Sequence, residues 1–539
     1  MESKISKLHL KFAEKTWHET FQLVRRCMDK PKDKSQPCKP LVSSLERLQE
    51  VFNVSSMRTM RSRLEMIAKQ QGMGFHLTEA TCYLTAELFY LEVVLLPYGG
   101  VEEVKVAPHG KSPVPSESFL QLLRSKDFDE FSVKLAGLFT QYNIPGDDET
   151  RLKLFSSMQW LWRDLQQISQ LPSVPKDSDP RVDMINHGRS GCLIAGQEDC
   201  PMTIQFHTAP TDGTKASDRQ TAAAETLVQA ARVTVGVSDA AHRLQMASLL
   251  PQPPQLDPQG HPVFLSFAEA PHETLPACFL LKLQPAVPMT LSFVNGLRQI
   301  TDVPIPDVDL QWAPLPKLLT GRSLGSVDEQ DTIYTVPLPG GAAQRYVLLA
   351  AAWEEPAQRA AAVHSVPFTH PAHVPALLQL LRHRSAINAL LRSCMGPPGD
   401  AAAGSFCGLH LEVLPESETS FSVTFQRPDA DSLAVLLVNV RDSNQITCTL
   451  FGSGIVDPSL DEYLSCVMRR FMSVPVTLKT LHGKLEEFSS APLSPGRPPT
   501  AEADNDHSSA AAVTDPNGAL AAHSQSATGP EEGCAAAEF

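Results

Sequence analysis

Three histidines, His364, His370 and His373, fall within ten residues, and the run His187-Gly188-Arg189-Ser190-Gly191 brackets a cation and a hydroxyl between glycines. Groups of these types supply metal ligands and anion-binding turns. Their settings argue for blander roles. Pro367, Pro371 and Pro375 interleave with the histidines and imply extended chain that points side chains in different directions. The glycine-bracketed run reads as a loop between strands. No GxxxxGKS or GxxxxGKT loop, GxGxxG after a strand, HExxH pair, GxSxG elbow or EF-hand ligand ladder occurs. Motifs alone leave open an enzyme whose groups meet only in three dimensions. The sequence assigns no catalytic, cofactor-binding or metal-ligating residue, and the expectation is a noncatalytic protein without cofactor.

The strongest motif is apolar. Leu377-Leu378-Gln379-Leu380-Leu381 is an LxxLL box, in which leucines at i, i+3 and i+4 share a helical face and can fill an apolar groove. Leu377, Leu380 and Leu381 are therefore candidate protein-binding residues. Leu378, Ile387, Leu390 and Leu391 extend the apolar surface beyond what a groove needs, and Pro375 suits a first helical turn. The segment reads as a core helix first and a docking helix second. Leu315-Pro316-Lys317-Leu318-Leu319 carries a proline tolerated only in a first turn, and Phe119-Leu120-Gln121-Leu122-Leu123 lies on a core-like stripe. Ser494-Pro495-Gly496-Arg497 matches a proline-directed phosphorylation site, which makes Ser494 a modification candidate.

These groups need a scaffold, and the chain is long enough to provide one. Its 539 residues, 42% hydrophobic and 20% charged, suffice for several domains with a substantial core. A formal net charge of −14 opposes a broad grip on nucleic acid, so no direct nucleic-acid partner is expected. Met1 to Glu19 is polar and amphipathic, and no apolar run is long enough to span a bilayer. The expectation is a soluble intracellular protein with no membrane partner. Eleven cysteines are scattered without a CxxC pair, so they read mostly as thiols in a reducing compartment.

Hydrophobic periodicity predicts an α+β fold. Residues 1–172 read as helices interrupted by a hairpin at 82–106, whose turn uses Gly99 and Gly100. Leu8, Phe12, Trp17, Phe21 and Val24 begin the helical spacing. Leu171 to Pro180 is a polar, proline-punctuated boundary. Residues 173–363 form a mixed strand and loop region, with strands at 202–207, 278–283, 332–338 and 345–351, helices at 222–232 and 292–300, and an exposed loop at 251–262. Residues 364–486 combine the leucine-rich helix, an antiparallel meander at 406–414, 421–426, 433–440 and 446–451, and a closing helix. Residues 487–539 carry too few large aliphatic side chains to offset ordering entropy and are expected to be a disordered tail.

Several stretches resemble one family, subunit 1 of the Mediator complex, also described as a nuclear-receptor coactivator. They are RLEMIAKQQGMGFHL (63–77), FDEFSVKLAGLFTQYNIPGD (128–147), LPACFLLKL (275–283), VPFTHPAHVPALLQLLRH (366–383), ESETSFSVTFQRPDADSLAVLLVNVRDSNQITCTLF (416–451) and MSVPVTLKTLHGK (472–484). The resemblance spans residues 1 to about 485 and is poor over 205–271. It implies a nuclear, noncatalytic scaffold subunit that links transcription activators to RNA polymerase II, with other Mediator middle-module subunits as partners. Activators or nuclear receptors are further implied partners. Vertebrate members carry their receptor-binding boxes in a long region after the folded part, to which the box at 377–381 does not correspond. Two alternatives follow: a receptor-binding module that uses Leu377, Leu380 and Leu381, and a dominant-negative subunit without receptor boxes.

Overall fold

The structure, a computed structural model, describes residue 22 and residues 57–97, 99–144, 146–194, 201–208, 228–305, 310–320, 332–338, 343–396, 406–427, 432–452 and 458–490. Helices and strands mix throughout, which is the α+β class expected from periodicity. The chain divides into two units. The first takes residues up to Ala209, Asp218–Leu324 and Pro356–Ala386, and the second takes the remainder, so neither is one contiguous stretch.

In the first unit, helix α1 (Met57–Gln70) leads into a five-stranded antiparallel meander in the order β1-β2-β3-β4-β5. Its strands are β1 (Gly74–Leu77), β2 (Thr81–Thr85), β3 (Phe89–Leu95), β4 (Val101–Pro108) and β5 (Val114–Pro115). The expected hairpin is the centre of this larger sheet. Strict alternation along β3 buries Phe89, Leu91, Val93 and Leu95 and leaves Tyr90, Glu92 and Val94 on the other face. Three helices follow, each started by a side-chain oxygen that satisfies an otherwise orphaned amide. Ser116 accepts from the Phe119 amide ahead of α2 (Glu117–Ser125), and Asp127 from that of Glu130 ahead of α3 (Phe128–Tyr142). Asp147 accepts from Thr150 ahead of α4 (Asp148–Ser169).

The stretch Leu171 to Pro180 leads to a helix that the sequence does not announce, α5 (Pro180–His187), capped by Asp179 with proline at its first position. Next comes a six-stranded sheet in the order β10-β13-β9-β8-β7-β6. Its strands are β6 (Cys192–Ile194), β7 (Thr203–His207), β8 (Gln229–Gln245), β9 (His272–Thr290), β10 (Trp312–Pro314) and β13 (Arg359–Phe368). Helix α6 (Leu291–Thr301) lies where 292–300 is expected, and α7 (Leu315–Thr320) follows β10.

The helix expected at 222–232 is not found in its described part. Residues 229–232 open β8 and pair with β7 and β9, because pairing on both edges outweighs the helix preference of Ala230 and Ala231. Residues 222–227 lie outside the described residues. Residues 251–262 form an irregular loop with one isolated bridge, Leu256 to Pro262.

The second unit is a six-stranded sheet in the order β11-β12-β14-β15-β16-β17. Its strands are β11 (Thr332–Pro337), β12 (Ala343–Leu348), β14 (Phe406–Pro415), β15 (Ser420–Gln426), β16 (Leu433–Val440) and β17 (Ile446–Phe451). The last four form the expected antiparallel meander, and β12 joins β14 in parallel. A short α8 (Ala350–Trp353) follows β12, and α10 (Pro458–Phe471) and α11 (Val474–Ser490) complete the unit. Residues 487–490 of the expected tail belong to α11, and the rest lies outside the described residues. Helix α9 (His373–Ser393) runs through the division, its residues up to Ala386 assigned to the first unit.

Candidate functional site

The leucine box sits in α9, where Pro375 occupies the first turn and removes an amide that would have no helical partner anyway. Leu377, Leu378 and Leu381 have no exposed surface, nor do Ala386 and Leu390 further along. Leu380 is half-buried against α6, where a Cβ added at Gly296 would lie 3.3 Å from its Cδ1. Only Gln379 within the box faces water. In place of a detached ridge of three leucines, α9 is apolar around most of its girth, the pattern of an interior helix.

Two buried cations follow the box. Arg382 donates from Nη2 to the carbonyls of Ile185 (2.9 Å) and Gly188 (2.7 Å), and from Nε to that of Phe206 (2.8 Å). Ile185 lies in the last turn of α5 and Gly188 caps it, so the guanidinium satisfies carbonyls that a helix end leaves open and sits at the negative end of its dipole. Burial pulls its pKa down to about 10, so it remains charged at neutral pH. Burial first, then Arg382, pushes His207 down to about 4. Arg384 is fully buried, donates from Nε to the Pro288 carbonyl at 2.9 Å, and stands 5.4 Å over the Phe293 ring. These two residues tie α9 to α5, β7, β9 and α6.

The run from His187 to Gly191 joins a helix to a strand, not two strands, and the side-chain donors of Arg189 and Ser190 are already engaged. Arg189 donates to the carbonyls of Leu171 and Pro172, and the buried Ser190 hydroxyl to that of Leu165. A Cβ at position 188 would stand 2.4 Å from the Met184 carbonyl oxygen, so the close helix exit requires glycine there.

The histidines depart in part from expectation. His370 and His373 do approach, with ring centroids 5.9 Å apart, because residues 370–373 close a turn in which the His373 amide donates to the His370 carbonyl. His364 is exposed on β13. His370 packs edge-on to Phe264 and Phe267 at 5.4 and 5.3 Å, and its Nδ1 accepts from the Ala372 amide. Burial, then His373, lowers its pKa to about 4. Among the described residues no group of three or more His, Cys, Asp or Glu is placed to hold a metal ion.

The remaining candidates are also structural in setting. Leu315 and Leu319 are buried in α7, with Pro316 in its first turn, and Phe119 and Leu123 are buried in α2. Asp164 on α4 has no exposed surface and accepts from Gln245 Nε2 (2.8 Å), Ser248 Oγ (2.6 Å) and the Leu249 amide (2.9 Å). Burial raises its pKa against these donors, which favour the carboxylate. Cys82, Cys192, Cys278, Cys394 and Cys448 are free thiols, whereas Cys466 is disulfide-bonded. A half-open cleft of about 360 Å³ beside β13 brings together Gln311, His364 and Ser365 with apolar neighbours, and among the described residues that line it there is no carboxylate or cysteine. Ser494 lies outside the described residues. No described helix is long and apolar enough to cross a membrane.

These features define a class: an α+β protein whose motif leucines and buried cations are spent on packing. The comparisons place it further. Residues 42–396 match the family model of Mediator of RNA polymerase II transcription subunit 1. The chain is 32% identical to the Mediator of RNA polymerase II transcription subunit 1 of Xenopus tropicalis over 511 residues, covering 91% of this chain and 32% of that protein. Its counterpart in Xenopus laevis is 32% identical over 525 residues, with the same two coverages. The Drosophila melanogaster protein of that name is 23% identical over 501 residues, 89% of this chain and 33% of that protein. The chain belongs to the Mediator of RNA polymerase II transcription subunit 1 family, and it spans about a third of the length of these curated relatives.

Proposed function

We propose that this chain is a noncatalytic scaffold subunit of the Mediator complex in the nucleus, where it binds other middle-module subunits and helps link transcription activators to RNA polymerase II. The observation that carries the reading is the family match over residues 42–396. The geometry of α9 favours scaffolding over receptor docking by Leu377, Leu380 and Leu381. To present those leucines, the helix would have to withdraw Leu377 and Leu381 from the core and strip Arg382 of its carbonyl partners. Either step orphans buried groups whose desolvation is costly.

Affinity purification of the tagged full chain from nuclear extract, with mass spectrometry, tests the proposal. Other middle-module subunits are expected in near-stoichiometric amounts. Their absence, with the chain recovered alone, overturns it. A liganded receptor captured by the full chain and lost in Leu377→Ala, with unfolding stability unchanged, would instead favour docking.

A further inference from the structure

The three sheets present six edges, and five are blunted within the described residues. Strand β5 is two residues long and ends in Pro115, and β10 is three residues long and ends in Pro314. Strand β6 has three residues. Strand β11 ends in Pro337 and is covered at Thr335, where a Cβ added to Gly396 would lie 2.0 Å from the carbonyl oxygen. On β17, α10 caps the outward amides: Ser465 Oγ accepts from Cys448 and Asp461 Oδ1 from Leu450. Proline, shortness and coverage are the devices by which sheets refuse further pairing.

Strand β1, Gly74-Phe75-His76-Leu77, is short at 4 residues, but among the described residues it has none of proline, charge, bulge or cap. The phase of its ladder follows from the neighbouring bond, in which the Thr78 amide donates to the Thr81 carbonyl at 2.9 Å. With the register Gly74 to Thr85 and His76 to Tyr83, residues 74, 76 and 78 bond inward, and the amides and carbonyls of Phe75 and Leu77 point away from β2. Their side chains stand on the face of Leu84 and Cys82, which are fully buried, yet Leu77 is 49% exposed. The rim of the core face is thus apolar and half-open beside two pairs of backbone groups that take no partner among the described residues.

We propose that β1 is a strand-addition edge that takes an extended segment of a neighbouring protein chain, bearing an apolar residue at every second position to cover Phe75 and Leu77. Main-chain bonds would supply the grip and the Leu77 rim the selectivity. The inference rests on the reading of the chain as a complex subunit. This chain's own residues 1–56 fit poorly, because Leu8, Phe12, Trp17 and Phe21 recur with helical period and not with the period of two that a ladder needs. A second copy fits poorly as well, since a net charge of −14 on each chain opposes self-association.

Residue-resolved hydrogen exchange on the full chain, free and in the affinity-purified assembly, tests the edge. Phe75 and Leu77 amides are expected to exchange freely in the isolated chain and to slow at least ~10-fold in the assembly, with His76 protected in both. A Leu77→Lys chain, which places a charge on the rim, is expected to recover several-fold less of the assembly at an unchanged thermal midpoint, whereas Leu77→Thr recovers it fully. Equal exchange in both states, or full recovery by Leu77→Lys, overturns the inference and leaves the subunit reading intact. Protection already present in the dilute free chain assigns the edge to another segment of this chain, and protection that grows with concentration assigns it to a second copy; each overturns the proposal. Failure of any assembly to co-purify overturns both readings.

Discussion

Leu377 and Leu381 look like bait in the sequence and behave as mortar in the structure. Truncating either one removes fully buried volume, so Leu377→Ala or Leu381→Ala is expected to cost about 2–5 kcal/mol in denaturant unfolding, and Gln379→Ala, which faces water, under about 0.5 kcal/mol. Equal, small effects at all three positions would show that the leucines are not core. Their burial follows from the apolar girth of α9 and was legible. Arg382 and Arg384 were not, because arginine is ordinarily exposed and the carbonyls that hold Arg382 lie 176 to 197 residues away in the chain. The same pocket sets a pH response. The folded pKa of His207, about 4, is below the usual imidazole value near 6.5, so the unfolded chain takes up the proton first. Stability is therefore level above about pH 6.5, falls as the pH drops toward 4, and has then lost roughly 3 kcal/mol from this group. His370 acts in the same direction. A His207→Gln chain is expected to lose less stability between pH 6.5 and 4 in urea titrations, and an identical pH slope in the two chains would refute the assignment.

The closing sheet shows where element-level reading succeeds. Its four meander strands lie within a residue or so of expectation because each alternates in and out over a covered face, as β16 does in burying Ala434, Leu436, Val438 and Val440. Reading fails where strands are long and bent. Strand β8 runs 17 residues and β9 runs 19, with register shifts that break the alternation, so only the apolar patch at 278–283 stands out. The first sheet reads as a hairpin because β1 and β5 are short and largely exposed and leave almost no periodic signal. The caps on β17 are likewise invisible in sequence, since they depend on where α10 lands. They carry a prediction: Ser465→Ala leaves the buried Cys448 amide unpaired and is expected to cost about 1–3 kcal/mol. Combined with Asp461→Ala it uncovers the edge, so light scattering at fixed concentration should rise for the double variant and not for an exposed-site control such as Ser62→Ala.

At the scale of the whole molecule, the leucine box and the two arginines after it lie in the packing of the first unit and not in a cleft. What positions them is a core closed by groups that in another setting would do chemistry. Asp164, with no exposed surface, holds Gln245, Ser248 and Leu249 against α4, and Arg382 and Arg384 hold α9. A scaffold of the proposed kind needs charge that selects proteins over nucleic acid. The formal net charge of −14 provides it, because each bound phosphate would have to be met by a cation drawn from a surplus of carboxylates. Nonspecific duplex binding by cationic proteins falls in the range of about 1–100 µM at physiological salt. The full chain is expected to leave the fluorescence anisotropy of a labelled duplex unchanged up to ~10 µM at 150 mM salt, and to show little gain when the salt is lowered to 50 mM. Saturable binding that strengthens steeply on that dilution would reveal a segregated basic face, and contact with the template would then have to be added to the proposed scaffold role.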